Sequence, residues 1–244
     1  MARTRTSILT ATDIVMDREA TSHAGERLAF LRLLQLASPA LPIGAFAYSQ
    51  GLEPAVAAGI VHDEATAAAW ILGLLTGPLA HQELPLYARM HGAHVAGDDV
   101  TAARWNAFLL ASRATAELQT EDRQLGASLA KVLATMGLPA LVPGVASTLV
   151  GQLAWATARF GIDARTALET FAFTWAEAQT SAAVRLVPLG QSAGVRILAR
   201  AAEAIPGAVD GALTCADDDI AGAAPGLALL STAHETQYSR LFRS

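Results

Sequence analysis

The stretch Asp163-Ala-Arg-Thr-Ala-Leu-Glu-Thr-Phe-Ala-Phe-Thr-Trp-Ala-Glu-Ala-Gln-Thr-Ser-Ala-Ala-Val-Arg-Leu-Val187 places Leu168, Phe171, Trp175, Ala178, Ala182 and Leu186 at steps of three and four. Those steps follow the turn of an α-helix, whereas a strand would bury every second residue. Asp163 is placed to cap the helix, because its carboxylate accepts from free N–H groups of the first turn. Pro188 ends it, since proline disfavours helical backbone at the preceding residue. The same period recurs outward from this segment. Between Thr115 and Met136, the residues Leu118, Leu125, Leu129, Val132, Leu133 and Met136 read as one stripe, with Glu121, Asp122 and Lys131 off it. Val195, Leu198, Ala202 and Ile205 repeat the pattern, and Ile205-Pro206-Gly207 reads as the end of that helix. Alternating β-branched runs are nearly absent, and there is no Asn-Gly hairpin signal or fixed-period repeat. The sequence therefore predicts an all-α, single-domain bundle of roughly eight to ten helices, at the usual ~10–20 residues each.

Two ends read differently from the body. Residues 1–25 carry scattered charges and no signal-peptide core, and read as a flexible segment ahead of an all-α domain at 26–208. Residues 209–230, with Asp217, Asp218 and Asp219 together, read as an acidic Gly/Pro-containing solvated loop. Residues 231–244 form a polar and aromatic tail that cannot build a core but can dock on one. The longest uncharged stretch, Val132 to Ala158, is broken by Gly137, Pro139, Pro143 and Gly144. It reads as two buried helical pieces joined by a Pro-Gly turn rather than as a membrane span.

Apolar residues make up 52% of the 244 and charged residues 16%, against a usual charged share of ~25%. So sparse a charge pattern points to a surface covered by a partner or a second copy. A net charge of −5 without a basic run argues against nucleic acid. Cys215 is the single cysteine, which permits no internal disulfide and is too little for a zinc site, so a reducing cytoplasm is the expected home.

Enzyme signatures are missing: there is no phosphate-binding G-x-x-x-x-G-K-[ST], no G-x-G-x-x-G after a strand, no G-x-S-x-G elbow and no H-E-x-x-H. His91 and His94, three apart, share a helix face but supply only two ligands, and read as surface residues near a helix end before Gly97. His234-Glu235 is an adjacent pair and weak as a metal site. No metal site and no catalytic residue is assigned, and the expected chain is not an enzyme.

Three blocks carry a resemblance. Leu33-Leu-Gln-Leu-Ala-Ser-Pro-Ala-Leu-Pro-Ile-Gly-Ala-Phe-Ala-Tyr-Ser-Gln-Gly-Leu-Glu53 resembles the N-terminal signature of the UreF family of urease accessory proteins, with Ala47 where many relatives carry Ser or Thr. Val184-Arg-Leu-Val-Pro-Leu-Gly-Gln-Ser-Ala-Gly-Val-Arg-Ile-Leu198 resembles the later signature, and His234-Glu-Thr-Gln-Tyr-Ser-Arg-Leu-Phe-Arg-Ser244 the C-terminal motif. The resemblance implies an all-α homodimer that binds UreD (UreH in some organisms) and the GTPase UreG. The assembly delivers nickel to apo-urease, with nickel passing in transit and no cofactor held tightly. The alternatives are a helical adaptor outside urease maturation and a stand-alone helical enzyme.

Each block also has a plainer reading. The prolines and glycine of Ser38-Pro-Ala-Leu-Pro-Ile-Gly44 suit a rigid connector. Ser49 can cap the next helix with Glu53 in its first turn, while Tyr48, Gln50 and Glu53 alternatively form a polar patch for UreG or for the nickel route. Arg185, on an apolar helix, calls for an internal carboxylate such as Glu177 or else lines a partner surface. Gln191 opens the following helix, where Gly190 and Gly194 favour close packing. In the tail, His234, Glu235, Gln237, Tyr238, Arg240, Phe242 and Arg243 are the candidate partner-binding residues, because arginine and aromatics anchor interfaces. Deletion of 234–244 is expected to leave the bundle folded and to abolish UreD/UreH binding.

Overall fold

The computed structural model describes residues 11–139, 141 and 148–244, with side chains from residue 23 onward in that range. Ten α-helices and no strand occur among the described residues. In chain order they are α1 (Ala11–Ala37), α2 (Leu52–Ala57), α3 (Glu64–Leu74), α4 (Leu84–Ala96), α5 (Asp99–Ala111), α6 (Ala116–Thr135), α7 (Leu149–Arg159), α8 (Ala164–Leu186), α9 (Gln191–Thr214) and α10 (Pro225–His234). A 3-10 turn at Ala45–Ala47 precedes α2, and a π-helical segment, Leu75–Glu83, joins α3 to α4 around Pro78. Of the expected flexible segment, residues 1–10 lie outside the described residues, and the chain is helical from Ala11. The expected Pro143-Gly144 turn also lies outside them. No helix is long and apolar enough to cross a membrane among the described residues.

Helix starts follow side-chain chemistry. Asp63, Asp98, Thr115, Thr148 and Asp163 each accept from the N–H three residues on, as the first-turn donors require. Helix α8 is the hub, packing on α9, α4, α1, α2, α3 and α7. Its Leu168, Phe171, Ala172 and Ala176 enter the main core with Tyr87, Met90, Leu109 and Val209. Its other end contributes Ala182 and Ala183 to a second cluster with Leu52, Ile71, Ile197 and Phe242. A Cβ on Gly194 would lie 3.0 Å from Val184 Cγ2, so this glycine sets the close approach of α9 to α8, whereas Gly190 has open space around it.

Several local readings are corrected. Pro206 lies inside α9, which runs on to Thr214. The buried row Ile205, Val209 and Ala212 continues across it, and the proline faces outward, so burial outweighs one lost backbone bond. The buried face of α9 is Ala193, Gly194, Ile197, Ala201 and Ile205, and Val195 is 70% exposed. The acidic loop is shorter than expected, because α9 and α10 take residues from both its ends; Asp217–Asp219 remain exposed as a 3-10 turn, and Asp217 pairs with Arg89 at 2.6 Å. Glu121 and Asp122 are buried, not off the stripe. Asp122 stands four residues after Leu118 and so shares its face; Glu121 finds its partners far away in sequence, in Gln50 and Ser244, while Asp122 pairs with Arg113 just ahead of the same helix.

Candidate functional site

The first signature block folds as a turn that only unusual backbone can make. Gly44 and Gly51 have φ of 81° and 80°, and Gln50 between them has φ 49°. A non-glycine residue there carries strain on the order of 1 kcal/mol, offset by what its side chain gains. Trp175 Nε1 donates to Gln50 Oε1 at 2.7 Å, and Gln50 Nε2 donates to Glu121 Oε1 at 2.7 Å. Tyr48, buried, donates to Gln124 Oε1 at 2.6 Å. Gly51, rather than Ser49, is the residue preceding α2; Ser49 Oγ accepts from Glu53 N at 3.3 Å and also donates to the Ser244 carbonyl.

Beneath this turn lies a buried polar layer. Arg113 donates through both terminal nitrogens to Glu83, at 2.9 and 3.0 Å, and through Nε to Asp122 at 2.5 Å. Burial works against the Arg113 charge, but Asp122 and Glu83 outweigh it and hold its pKa well above the ordinary value. Burial raises Asp122, opposed by Arg113. Among the described residues, Glu121 accepts only from neutral donors, Gln50 and Ser244 Oγ, the latter at 2.7 Å. Burial pushes its carboxyl up to about 7. Three cavities of about 220, 60 and 70 Å³ are all lined by Gln50 and Trp175. The largest opens between residues 36–46 and α8, and the smallest is bordered by Glu83, Arg113, Glu121 and Asp122.

The tail closes over the layer and belongs to the fold. Glu53 accepts from the backbone N–H of Leu241 at 2.7 Å and of Phe242 at 2.8 Å. Arg243 N donates to Ala47 O at 2.8 Å and Ser49 N to Ser244 O at 2.8 Å. Along the last residues, sides alternate: Phe242 and Ser244 are buried, while Leu241 and Arg243 face out. His234 is fully buried, its Nδ1 3.0 Å from both oxygens of Glu117 and its Nε2 3.4 Å from Glu53 Oε2. Arg240 donates to Glu117 at 3.1 Å and to the Glu235 carbonyl. Gln237 donates to Ser239 O at 2.8 Å, and Glu235 is exposed. Tyr238 is wholly exposed, at 105%.

The candidate residues thus separate by position. Tyr48, Glu53, His234 and Phe242 are buried and Gln50 is half-buried; Glu53 joins the first block to the tail, while Tyr48 and Gln50 bind α6 and α8. Arg185 is exposed, not buried against Glu177: its guanidinium lies 4.7 Å from the centre of the Phe242 ring and donates to Phe46 O at 3.4 Å. Gln191 is exposed on α9, apart from this layer. His91 and His94 are not surface residues. His91 is buried with Nε2 2.9 Å from Ile162 O, and His94 Nδ1 is 3.3 Å from Asp99; burial lowers the pKa of both. Among the described residues, no group of three or more His, Cys, Asp or Glu is placed to hold a metal ion. Sequence reasoning missed Glu83, Arg113, Glu117, Glu121 and Asp122. The readable signal was the four-residue step from Leu118 to Asp122 and the four-residue step from Glu117 to Glu121, which place all of these carboxylates of α6 on neighbouring faces.

The three blocks therefore meet at one place, the turn, the end of α8 and the tail. Residues 61–202 match the family model described as UreF. The chain belongs to the UreF family. A urease accessory protein UreF of Azoarcus sp. strain BH72 is 47% identical over 232 residues, covering 92% of this chain and 99% of that one. Another, of Pseudomonas putida strain W619, is 46% identical over 220 residues, covering 89% and 98%. A third, of Alkalilimnicola ehrlichii, is 46% identical over 220 residues, covering 89% and 96%. These relatives are named as urease accessory proteins.

Proposed function

We propose that this UreF-family chain is a non-catalytic urease maturation factor that works as a homodimer, bridging UreD/UreH and the GTPase UreG while nickel is delivered to apo-urease. The observation that carries this reading is the tail. Its inward groups, Phe242, Ser244 and the N–H donors to Glu53, hold it against the body, and this leaves Tyr238, Leu241 and Arg243 projecting outward. A tail whose backbone is already docked loses less freedom on association, and outward aromatic and arginine side chains serve it as anchors. The signature turn lies directly beneath, so a partner that grips the tail also reads the turn. The cavities that meet at Gln50 and Trp175 favour a role for the interior in nickel transfer, with the metal as cargo and no group of three ligands to hold it among the described residues.

Deleting 234–244 would strip Arg240, Ser244 and the two backbone donors from buried carboxylates, so that variant confounds folding with binding. The informative variant is Tyr238→Ala with Arg243→Ala. Co-purification with UreD/UreH and UreG, varying nickel and nucleotide independently, should show at least tenfold weaker capture of UreD/UreH at unchanged thermal stability. Undiminished capture would reject the tail as the grip. A steady-state UreG assay with and without the chain gives the sign of any effect on GTP hydrolysis, which follows from differential affinity for the nucleotide states.

A further inference from the structure

Three largely buried carboxylates hold the tail. Glu53 takes the N–H groups of Leu241 and Phe242, Glu117 takes Arg240, and Glu121 takes Ser244 Oγ. His234, where α10 meets the tail, is enclosed between two of them. Its Nδ1 lies 3.0 Å from both oxygens of Glu117, and its Nε2, on the other edge of the ring, lies 3.4 Å from Glu53 Oε2. An ionised carboxylate only accepts, so each contact needs a proton between nitrogen and oxygen. A neutral imidazole supplies one and turns a lone pair toward the other carboxylate. The arrangement is complete only when the ring carries both.

The surroundings give that proton its weight. Helix α10 packs on α2 and α6. Glu53 is the ionisable residue of α2. On α6, Glu117 faces the ring, Glu121 holds Ser244, and Asp122 is taken by Arg113. From the tail, Arg240 pairs with Glu117. With a doubly protonated ring and a neutral Glu121, the cations Arg240 and His234 balance Glu53 and Glu117. Loss of one proton from the ring and one from Glu121 leaves three carboxylates facing one guanidinium. Buried charge without a partner is costly, and undocking the tail admits water to all three.

We propose that His234 is a proton-operated latch for the tail: with both ring nitrogens protonated it closes residues 235–244 over Glu53 and Glu117, and loss of one proton releases them while the helical body stays folded. Docking of the tail alone carries this, whichever partner the tail grips. The docked form binds more protons than the released one, so rising pH opens the latch. Glu121 acts in the same direction, because burial raises its carboxyl to about 7 and holds it neutral against Ser244. Release changes the surface of the molecule. It uncovers the three carboxylates and the apolar seat of Phe242 beside Leu52, Ala182 and Val187.

A titration of the full chain by nitrogen-15 NMR, from about pH 5 to about pH 9, tests the latch. Protection of the Leu241 and Phe242 amides, corrected for the pH dependence of chemical exchange, should fall above the midpoint by about tenfold per pH unit for each proton released. Far-UV circular dichroism should not change. The His234 ring should show two protonated nitrogens in the docked form and one in the released form, in step with the amides. His234→Gln has no second proton to lose, and any docking it retains should keep only the shallower dependence due to Glu121. Equal amide protection at both ends of the titration overturns the latch. So does a His234 ring with one proton while Leu241 and Phe242 are still protected. A pH dependence in His234→Gln as steep as in the parent assigns the release to Glu121 and overturns it too. If His234→Gln never docks its tail, the ring signal of the parent alone decides between these outcomes.

Discussion

At the scale of single residues, Glu121 is the sharpest point in the structure. Its two oxygens face Gln50 and Ser244, and among the described residues no cation pairs with it directly. Burial lifts its carboxyl from 4.5 to about 7, so the folded chain holds this proton more tightly than the unfolded chain does. The stability linked to it is fully present below 4.5 and is lost as pH rises through about 7. Glu121→Gln keeps the shape and removes the titration. Urea unfolding at pH 5 and pH 8 should therefore show the parent losing on the order of 3 kcal/mol more than the variant across that interval. Equal pH dependence in both would mean that Glu121 is ionised at no conformational cost. Gly194 offers a second, geometric test. An added methyl would stand 3.0 Å from Val184 Cγ2 and 3.6 Å from Thr180 Cγ2. Gly194→Ala should push α9 off α8 and lower stability by about 1–2 kcal/mol, read as a fall in thermal midpoint. An unchanged midpoint would show that the two helices have room to spare.

At the scale of elements, the tail and the signature turn form one unit. Phe242 supplies the apolar contact, entering the cluster of Leu52, Ala182 and Val187 beneath the Arg185 guanidinium. Phe242→Ala should cost about 3 kcal/mol of docking. The amides of Leu241 and Phe242, which Glu53 now accepts from, would then exchange at the rate of an open chain while the helical circular dichroism stays. Retained protection would place the docking energy in the hydrogen bonds alone. The helices themselves were legible in sequence because apolar spacing is a local property: the α8 stripe and the Asp163 cap need nothing beyond their own neighbours. Pro206 misled, since local propensity marks a stop there while the buried row Ile205, Val209 and Ala212 carries the helix through. The site was legible in its members but not in its arrangement. Tyr48, Gln50, Glu53, His234 and Phe242 stood out as residues, yet the groups that bind them, Glu117, Glu121 and Gln124, lie in α6, more than sixty positions away from the turn. Pairings of that span are set by how helices pack, which no local pattern records.

At the scale of the whole molecule, charge is the variable that matters. With 16% charged residues and 52% apolar ones, the chain has little polar surface with which to stay dispersed, and Leu28, Phe30, Leu31 and Leu34 of α1 lie in the open. Association driven by such surface differs from association driven by ion pairs in its response to salt. Exposed charges are screened beyond ~10 Å at 0.1 M and ~3 Å at 1 M, whereas apolar burial is not weakened by simple salt. Multi-angle light scattering of the pure chain at micromolar concentration should therefore give twice the chain mass at both salt concentrations. A dimer that falls apart at 1 M salt would place its contact on the charged elements, such as Arg165 with Asp210 or Arg196 with Glu64, which lie on exposed faces and already satisfy one another. A mass that holds through the salt range would instead locate the contact on apolar surface, where two copies cover what a single copy leaves bare.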